Sequence, residues 1–347
     1  MNLNDGPDLT IPHGNFSESM NTISVVIPVY QGEKTLGPLV DEIAPLTGAQ
    51  KTPKGISYRI AEVILVHDGA IDRSDLVMQS LAARYGFISL IWLSRNFGQH
   101  AATLAGMASS STEWVATMDE DGQFDPSEIG KMLDQALDGG AKLVYGDPVN
   151  LPPHGWVRNL FSRLAKWIFL KVIAGNDEMS RFNSFRLIEG EVARSLAAYC
   201  GPSVYLDVAL LWIIGRSVFC PVHVRRGRSR PSAYGFGKLV EHFLRLLLTS
   251  GTRPLRFISL LGIFSILFGI FFSLYAAWQK LTAQVPIQGW ASLIITVCLL
   301  LGCLLFSLGV IAEYLGVVLT MSMGKPLYLT VSKPSRSKSQ DKKVHVS

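Results

Sequence analysis

A doubly wound α/β sheet, parallel or mixed, followed by a membrane-spanning helical hairpin, is the architecture this sequence predicts. Three observations predict it. Short β-branched apolar runs alternate with stretches of helical periodicity through the first half of the chain. Acidic and polar residues punctuate the ends of those runs, where open α/β sheets hold their ligands. Two long uncharged apolar stretches lie towards the carboxyl end, each beyond the roughly 20 residues a bilayer-crossing helix needs.

Residues 1–21 are polar, rich in Pro, Gly, Asn and Ser, and lack the apolar core of a signal peptide, which predicts a flexible arm. Ile23–Tyr30 (ISVVIPVY) reads as a strand buried on both faces. Lys34–Leu46 spaces Leu36, Leu39, Val40 and Ile43 as a helix, with Pro38 and Pro45 making its ends abrupt. Ile60–Val66 is a second strand and runs into His67-Asp68-Gly69; Asp72–Tyr85 follows as a helix. Ile88–Leu93 is a third strand, ending in SRNFG, and Gln99–Ser109 a helix of small residues. Trp114–Met118, Ser127–Leu137 and Lys142–Tyr145 read as strand, helix and strand. Further on, Arg181–Ile188 and Val218–Val224 read as strands around short helices at Glu189–Ala198 and Val204–Ile214.

The organising stretch is Glu113–Pro126, EWVATMDEDGQFDP, in which an apolar strand leads into Asp119, Glu120 and Asp121. A strand ending in Asp-x-Asp at an open sheet edge suits a hard divalent cation, Mg²⁺ or Mn²⁺, held against a diphosphate. His67-Asp68 and Ser94-Arg95-Asn96 fall at neighbouring strand ends, so three strands converge on one site. Neither GxGxxG nor a GxxxxGK loop is present, so a dinucleotide fold or a P-loop NTPase has no motif behind it. The net charge of +5 is too small to argue for nucleic acid, and the basic residues cluster at positions expected to face a membrane. Cys200, Cys220, Cys298 and Cys303 show no CxxC or zinc spacing and read as reduced packing residues.

Residues 156–173 form a basic amphipathic pattern, with Arg158, Arg163, Lys166 and Lys171 around an apolar face, and 236–250 form a second. Phe257–Trp278 and Trp290–Ala312 carry no charge over 22 and 23 residues, and core helices seldom run so long uncharged. Arg253 and Arg256 precede the first stretch, and Lys325, Lys333, Arg336, Lys338, Lys342 and Lys343 follow the second. The connecting loop has only Lys280, so both ends of the hairpin are expected on the cytoplasmic side of a plasma or inner membrane. The expected organisation is thus an arm over 1–21, a cytosolic domain over 22–235, an interface helix over 236–250, two spans within 254–321 and a basic tail over 322–347. Gly262, Gly269, Gly302 and Gly309 are compatible with close packing of spans in a homo-oligomer, and equally with ordinary membrane-helix glycine.

The motifs VVIPVYQGE, VHDGAID, LSRNFGQHAATLAG, MDEDGQ, SFRLI and TRPLRFISLLG, in that order, resemble those of the polyprenyl-phosphate glycosyltransferases, membrane-bound relatives of dolichyl-phosphate mannose synthase. The resemblance runs from about Thr22 to about Leu329. It implies the GT-A fold, inverting transfer of a sugar from a UDP-, GDP- or dTDP-linked donor, a polyprenyl phosphate acceptor such as undecaprenyl or dolichyl phosphate, and a divalent cation. It further implies that Pro28 and Tyr30 line the nucleotide pocket, that Asp68 hydrogen-bonds the base, and that Asp119 approaches ribose and phosphate. Asp121 would ligate the metal with Gln123 close by. Arg186 would face the diphosphate or the lipid phosphate, and Arg158, Arg226, Arg228 and Tyr234 the lipid phosphate at the membrane surface. The sequence departs from the family's pattern at His67, where an acid is usual, and at Arg230 and Ala233 in a blurred basic motif. The neutral stretch Asp147–Gly155 replaces an Arg-rich one. These departures leave two other readings open: extension of a lipid-linked saccharide, with Asp207 as general base, or a non-catalytic lipid carrier or scaffold. A solvent-exposed or helix-capping Asp207 is the plainer alternative for that residue.

Overall fold

The computed structural model describes residues 20–149, 181–201, 205–225, 289–324 and 326–332, with scattered residues between 262 and 278. The expected amphipathic helices at 156–173 and 236–250, with Arg158, Arg226, Arg228, Arg230, Ala233 and Tyr234, lie outside the described residues.

The chain opens with β1 (Asn21–Val29), α1 (Leu36–Ile43), the short β2 (Gln50–Lys51) and β3 (Ser57–His67). It continues through α2 (Ser74–Arg84), β4 (Ile88–Leu93), α3 (Gln99–Ala108), β5 (Trp114–Thr117), α4 (Ile129–Gly139) and β6 (Leu143–Pro148). After β7 (Arg186–Glu189) come α5 (Gly190–Tyr199), α6 (Leu206–Ile214) and β8 (Val218–Val222), and finally α7 (Trp290–Ser322) and β9 (Thr330–Val331). Among the described residues these strands make one nine-stranded sheet in the order β8-β6-β7-β5-β1-β3-β4-β9, with β2 added to β3. β3, β1, β4 and β5 run parallel, whereas β7 is antiparallel to both β5 and β6. The sheet is therefore mixed.

The continuous apolar runs of β1 and β3 exist because helices cover both faces. Alternate residues divide between two cores. Val25, Ile27, Val29, Val63 and Leu65 pack with α1, α2 and α4. Val26, Ile64 and Val66 pack with α3, α5 and α6. The small residues of α3 have a specific use: a Cβ at Gly106 would stand 2.3 Å from Val26 Cγ1, so glycine lets this helix lie close on β1.

The chain fills β1, β3 and β4 outward, then crosses back to lay β5 on the other side of β1. The switch point between β1 and β5 opens a crevice at the carboxyl ends of the strands, the place where such sheets bind ligands. Tyr30 and Asp119–Asp121 stand at that point.

α7 is 33 residues long, about 50 Å at 1.5 Å per residue, and runs past the expected end of the second span at Ala312. Among the described residues no helix is long and apolar enough to cross a membrane. The described residues between 262 and 278 are helical.

After α7 the chain returns to the sheet. Leu327 and Tyr328 pack on the α3 core, Ser94 N–H donates to Leu329 O at 2.9 Å, and β9 pairs antiparallel with Trp92 and Leu93 of β4. The sequence had offered only a basic tail from 322; this two-residue strand adds an edge to the sheet.

Candidate active site

Each of the three acids after β5 has its own job. Glu120 turns inward to β1, accepting Tyr30 N–H at 2.9 Å and Gln31 N–H at 2.8 Å. It ties the two strand ends at the switch point. Asp119 Oδ1 accepts from Gln99 Nε2 at 2.5 Å, and its Oδ2 accepts from Ser184 Oγ at 2.6 Å. Asp121 Oδ1 accepts the N–H of Gln123 at 3.1 Å, a local Asx-type turn. Burial pushes the Asp119 carboxyl above its ordinary pKa and the charge of Asp121 adds to this, against the Ser184 hydroxyl and Arg186.

The loop carrying Asp121 is pinned from the far side. Phe124 bridges to Val224 and stacks on Phe185 with ring centroids 4.8 Å apart. Arg225 donates from its backbone to Gln123 O at 2.9 Å, and its guanidinium pairs with Asp125 at 2.7 Å and with Glu42 of α1.

Pro28 lies near the end of β1 and Tyr30 just beyond it, exposed on the crevice. Asp68 is buried, and its two oxygens accept the N–H groups of Phe97 at 2.7 Å and Gly98 at 2.9 Å. The carboxylate expected to meet a nucleobase is thus engaged by the loop that starts α3. Burial pushes its pKa up to about 6, although those two N–H groups and Arg95 pull the other way. His67 points to the opposite face, as strand alternation requires. It is buried against Trp92, ring centroids 4.9 Å apart, and burial lowers its pKa.

Two of the expected site residues meet each other. Arg186, anticipated on a diphosphate or lipid phosphate, is buried and donates from Nε and Nη2 to Asp207 Oδ1 and Oδ2 at 2.7 and 3.0 Å. Asp207, read either as a free general base or as an exposed acid, is buried in that pair and also accepts from Tyr145 Oη at 2.8 Å. A guanidinium desolvated by the sheet needs a bidentate carboxylate, and no signal in the sequence joins positions 186 and 207. Burial, with Asp207 alongside, holds the Tyr145 phenol well above its ordinary pKa.

Asp119, Gln123, Ser184, Arg186 and Asp207 line a cavity of about 450 Å³, together with Gln99, His100, Phe124, Asn183 and Tyr205 among others. It has the size of a small-ligand site. His100 and Tyr205 form one wall, ring centroids 4.3 Å apart. Among the described residues no group of three or more His, Cys, Asp or Glu forms a metal cage. Gln99 and Ser184 were not singled out from the sequence, although both stand inside the motifs LSRNFGQHAATLAG and SFRLI.

Residues 24–188 match the family profile described as Glycosyl transferase family 2. Those residues form a glycosyl transferase family 2 domain. The matched span runs from β1 to β7 and so contains the switch-point crevice, and the sheet is GT-A-like. The protein is a glycosyltransferase. It is 27% identical over 315 residues to the undecaprenyl-phosphate 4-deoxy-4-formamido-L-arabinose transferase of Edwardsiella ictaluri, covering 90% of this chain and 94% of the relative. An uncharacterized glycosyltransferase of Synechocystis sp. is likewise 27% identical over 310 residues, 88% of this chain and 94% of the relative. Among solved structures, glucosyl-3-phosphoglycerate synthase from Mycobacterium tuberculosis, crystallised with Mn²⁺, UDP-glucose and phosphoglyceric acid, aligns with a TM-score of 0.46 and 17% identity. That alignment covers 68% of this chain and 80% of the synthase.

Proposed function

We propose that this glycosyltransferase moves a sugar from a nucleotide-sugar donor to polyprenyl phosphate at the cytoplasmic face of a cell membrane, with inversion and with Mg²⁺ or Mn²⁺. The observation that supports this reading is Asp119 in the cavity lining, with Asp121 in the turn just after it, in a chain similar along most of its length to an undecaprenyl-phosphate sugar transferase.

The donor set fits a hard cation. Asp119 is held by an amide and a hydroxyl, neutral donors that leave its charge available and a further lone pair on each oxygen. A bound cation would supply neutralisation of charge on the departing diphosphate. The rest falls to side chains of this chain. Asp119 and Asp121 would hold the cation, with Gln123 beside them; Pro28 and Tyr30 would flank the nucleotide. The cavity under Asp119 has room for a sugar, and its aromatic wall of His100 and Tyr205 suits a pyranose face.

A lipid phosphate is an anion near neutral pH and attacks without a general base. That agrees with an Asp207 whose oxygens are committed to Arg186, and it counts against transfer to a sugar hydroxyl with Asp207 as base. Support for a lipid acceptor comes also from α7. Leu300, Leu304, Leu305 and Phe306, which point to different sides of the helix, are all exposed, and a helix apolar on all sides needs apolar surroundings. Met321, near its end, reaches within 3.5 Å of a Cβ position at Gly201, so the site-bearing domain and the helix are joined directly. Arg158, Arg226, Arg228 and Tyr234 remain the candidates for the lipid phosphate, and the paired spans the candidate anchor.

The test is transfer by the purified full chain in detergent, with undecaprenyl phosphate, Mn²⁺ or Mg²⁺, and a panel of radiolabelled UDP-, GDP- and dTDP-sugars. One donor should yield a labelled lipid, and EDTA or Asp121→Ala should abolish it. Donor binding with no labelled lipid from any donor, or full turnover by Asp121→Ala, would overturn the reading.

A further inference from the structure

We propose that Gln99 and Ser184 are positioning residues for Asp119, and that Asp68 acts through Gln99 by building the loop that carries it. This deepens the reading above and rests on it for the cation at Asp119.

Asp119 lies two residues beyond the end of β5, where the ladder no longer fixes the side chain. Its two oxygens are gripped from opposite sides, Oδ1 by Gln99 Nε2 at 2.5 Å and Oδ2 by Ser184 Oγ at 2.6 Å. The donors come from different elements: Gln99 is the first residue of α3, and Ser184 lies just before β7. Ser184 is itself fixed, because its carbonyl accepts from Thr117 Oγ1 at 2.7 Å. Two donors on two oxygens set the plane of the carboxylate and leave each oxygen a lone pair towards the crevice. Outer partners of this kind orient ligating carboxylates and tune their affinity.

The place of Gln99 is set in turn from β3. A helix start leaves its first N–H groups without intrahelical partners. Here the N–H groups of Phe97 and Gly98, immediately before Gln99, both end on Asp68, at 2.7 and 2.9 Å. Gly98 has φ +93°, a conformation that glycine adopts most readily, and it turns the chain from this loop into α3. The two loops are in direct contact, since a Cβ at Gly69 would lie 2.6 Å from Asn96 N. A continuous path therefore runs from Asp68 through the 97–98 turn and Gln99 to Asp119, spanning the crevice over the end of β1. Asp68 controls a ligand it does not touch.

The experiment is Mn²⁺ binding to the full chain in detergent, followed by the electron paramagnetic resonance of free Mn²⁺. Gln99→Ala and Ser184→Ala should each bind Mn²⁺ about tenfold more weakly than the unaltered chain, the lower end for outer-partner losses. Ser184→Thr, which keeps the hydroxyl, should restore affinity. Asp68→Asn should weaken binding too, and Asp68→Asn combined with Gln99→Ala should be no weaker than the worse single variant, as one path requires. Unaltered Mn²⁺ affinity in Gln99→Ala and Ser184→Ala would overturn the positioning role. Fully additive losses at Asp68 and Gln99 would overturn the path between them. Gln99 is exposed and its truncation spares the core, so Gln99→Ala decides the matter even where Asp68→Asn fails to fold. No Mn²⁺ binding by the unaltered chain would instead bring down the cation reading itself.

Discussion

Arg186 and Asp207 form a buried bidentate ion pair, at 2.7 and 3.0 Å, between β7 and the first turn of α6. Breaking such a pair strands one charge in the interior and costs about 3–5 kcal/mol, whereas replacing both partners by apolar residues of similar volume can be neutral. Asp207→Ala should therefore lower stability by about that amount in urea denaturation, and Arg186→Met with Asp207→Leu should recover much of it. Tyr145 Oη also loses its acceptor in these variants, which limits the recovery. An Asp207→Ala chain as stable as the original would show that the pair carries no weight.

The sequence made the strands around the site visible because both faces of β1 and β3 are covered, giving unbroken apolar runs such as ISVVIPVY. It also made Asp119 and Asp121 visible, since an acid directly after such a run has no packing reason to be there. What stayed hidden is tertiary. Asp68 and Phe97 are brought together only when α3 begins beside β3, and Arg186 meets Asp207 only when α6 folds under β7. Two-residue strands such as β2 and β9 have no periodicity to read at all.

Asp68 should make stability depend on pH in a defined window. Its folded pKa of about 6 lies above the ordinary 3.8, so the folded chain holds the proton more tightly than the unfolded one between those values. The contribution of Asp68 to stability should be greatest below that window and fall as pH rises through it, by up to about 3 kcal/mol at about 1.4 kcal/mol per pKa unit. Other carboxylates titrate nearby, so the measurement is the difference between the original chain and Asp68→Asn from pH 3.5 to 7.5. A difference that stays flat across this range would refute the raised pKa.

Glu120 should separate site assembly from folding. Its contacts to the N–H groups of Tyr30 and Gln31 sit at the crevice, where water can replace them, so Glu120→Ala should cost only about 0.5–1.5 kcal/mol. It should nevertheless raise the donor KM several-fold, because the β1 and β5 ends proposed to flank the donor are no longer tied. Glu120→Gln, which offers one carbonyl oxygen in place of two carboxylate oxygens, should fall between. Steady-state kinetics beside thermal unfolding distinguishes the two effects, and an unchanged KM in Glu120→Ala would sink the assignment.

The strand after the long helix should matter to the domain it caps. Leu327 and Tyr328 cover the α3 core, and β9 occupies the outer edge of β4, whose end leads into the loop held by Asp68. Removing residues from 326 onward would bare a strand edge and the apolar surface beneath it, which favours aggregation. The truncated chain should therefore unfold at lower urea than the full chain and lose hydrogen-exchange protection at Ser94, whose N–H donates to Leu329 O at 2.9 Å. A truncation beginning at 333 keeps β9 and should behave as the full chain does. Equal protection at Ser94 in both truncations would mean that β9 only rests against the sheet and contributes nothing to it.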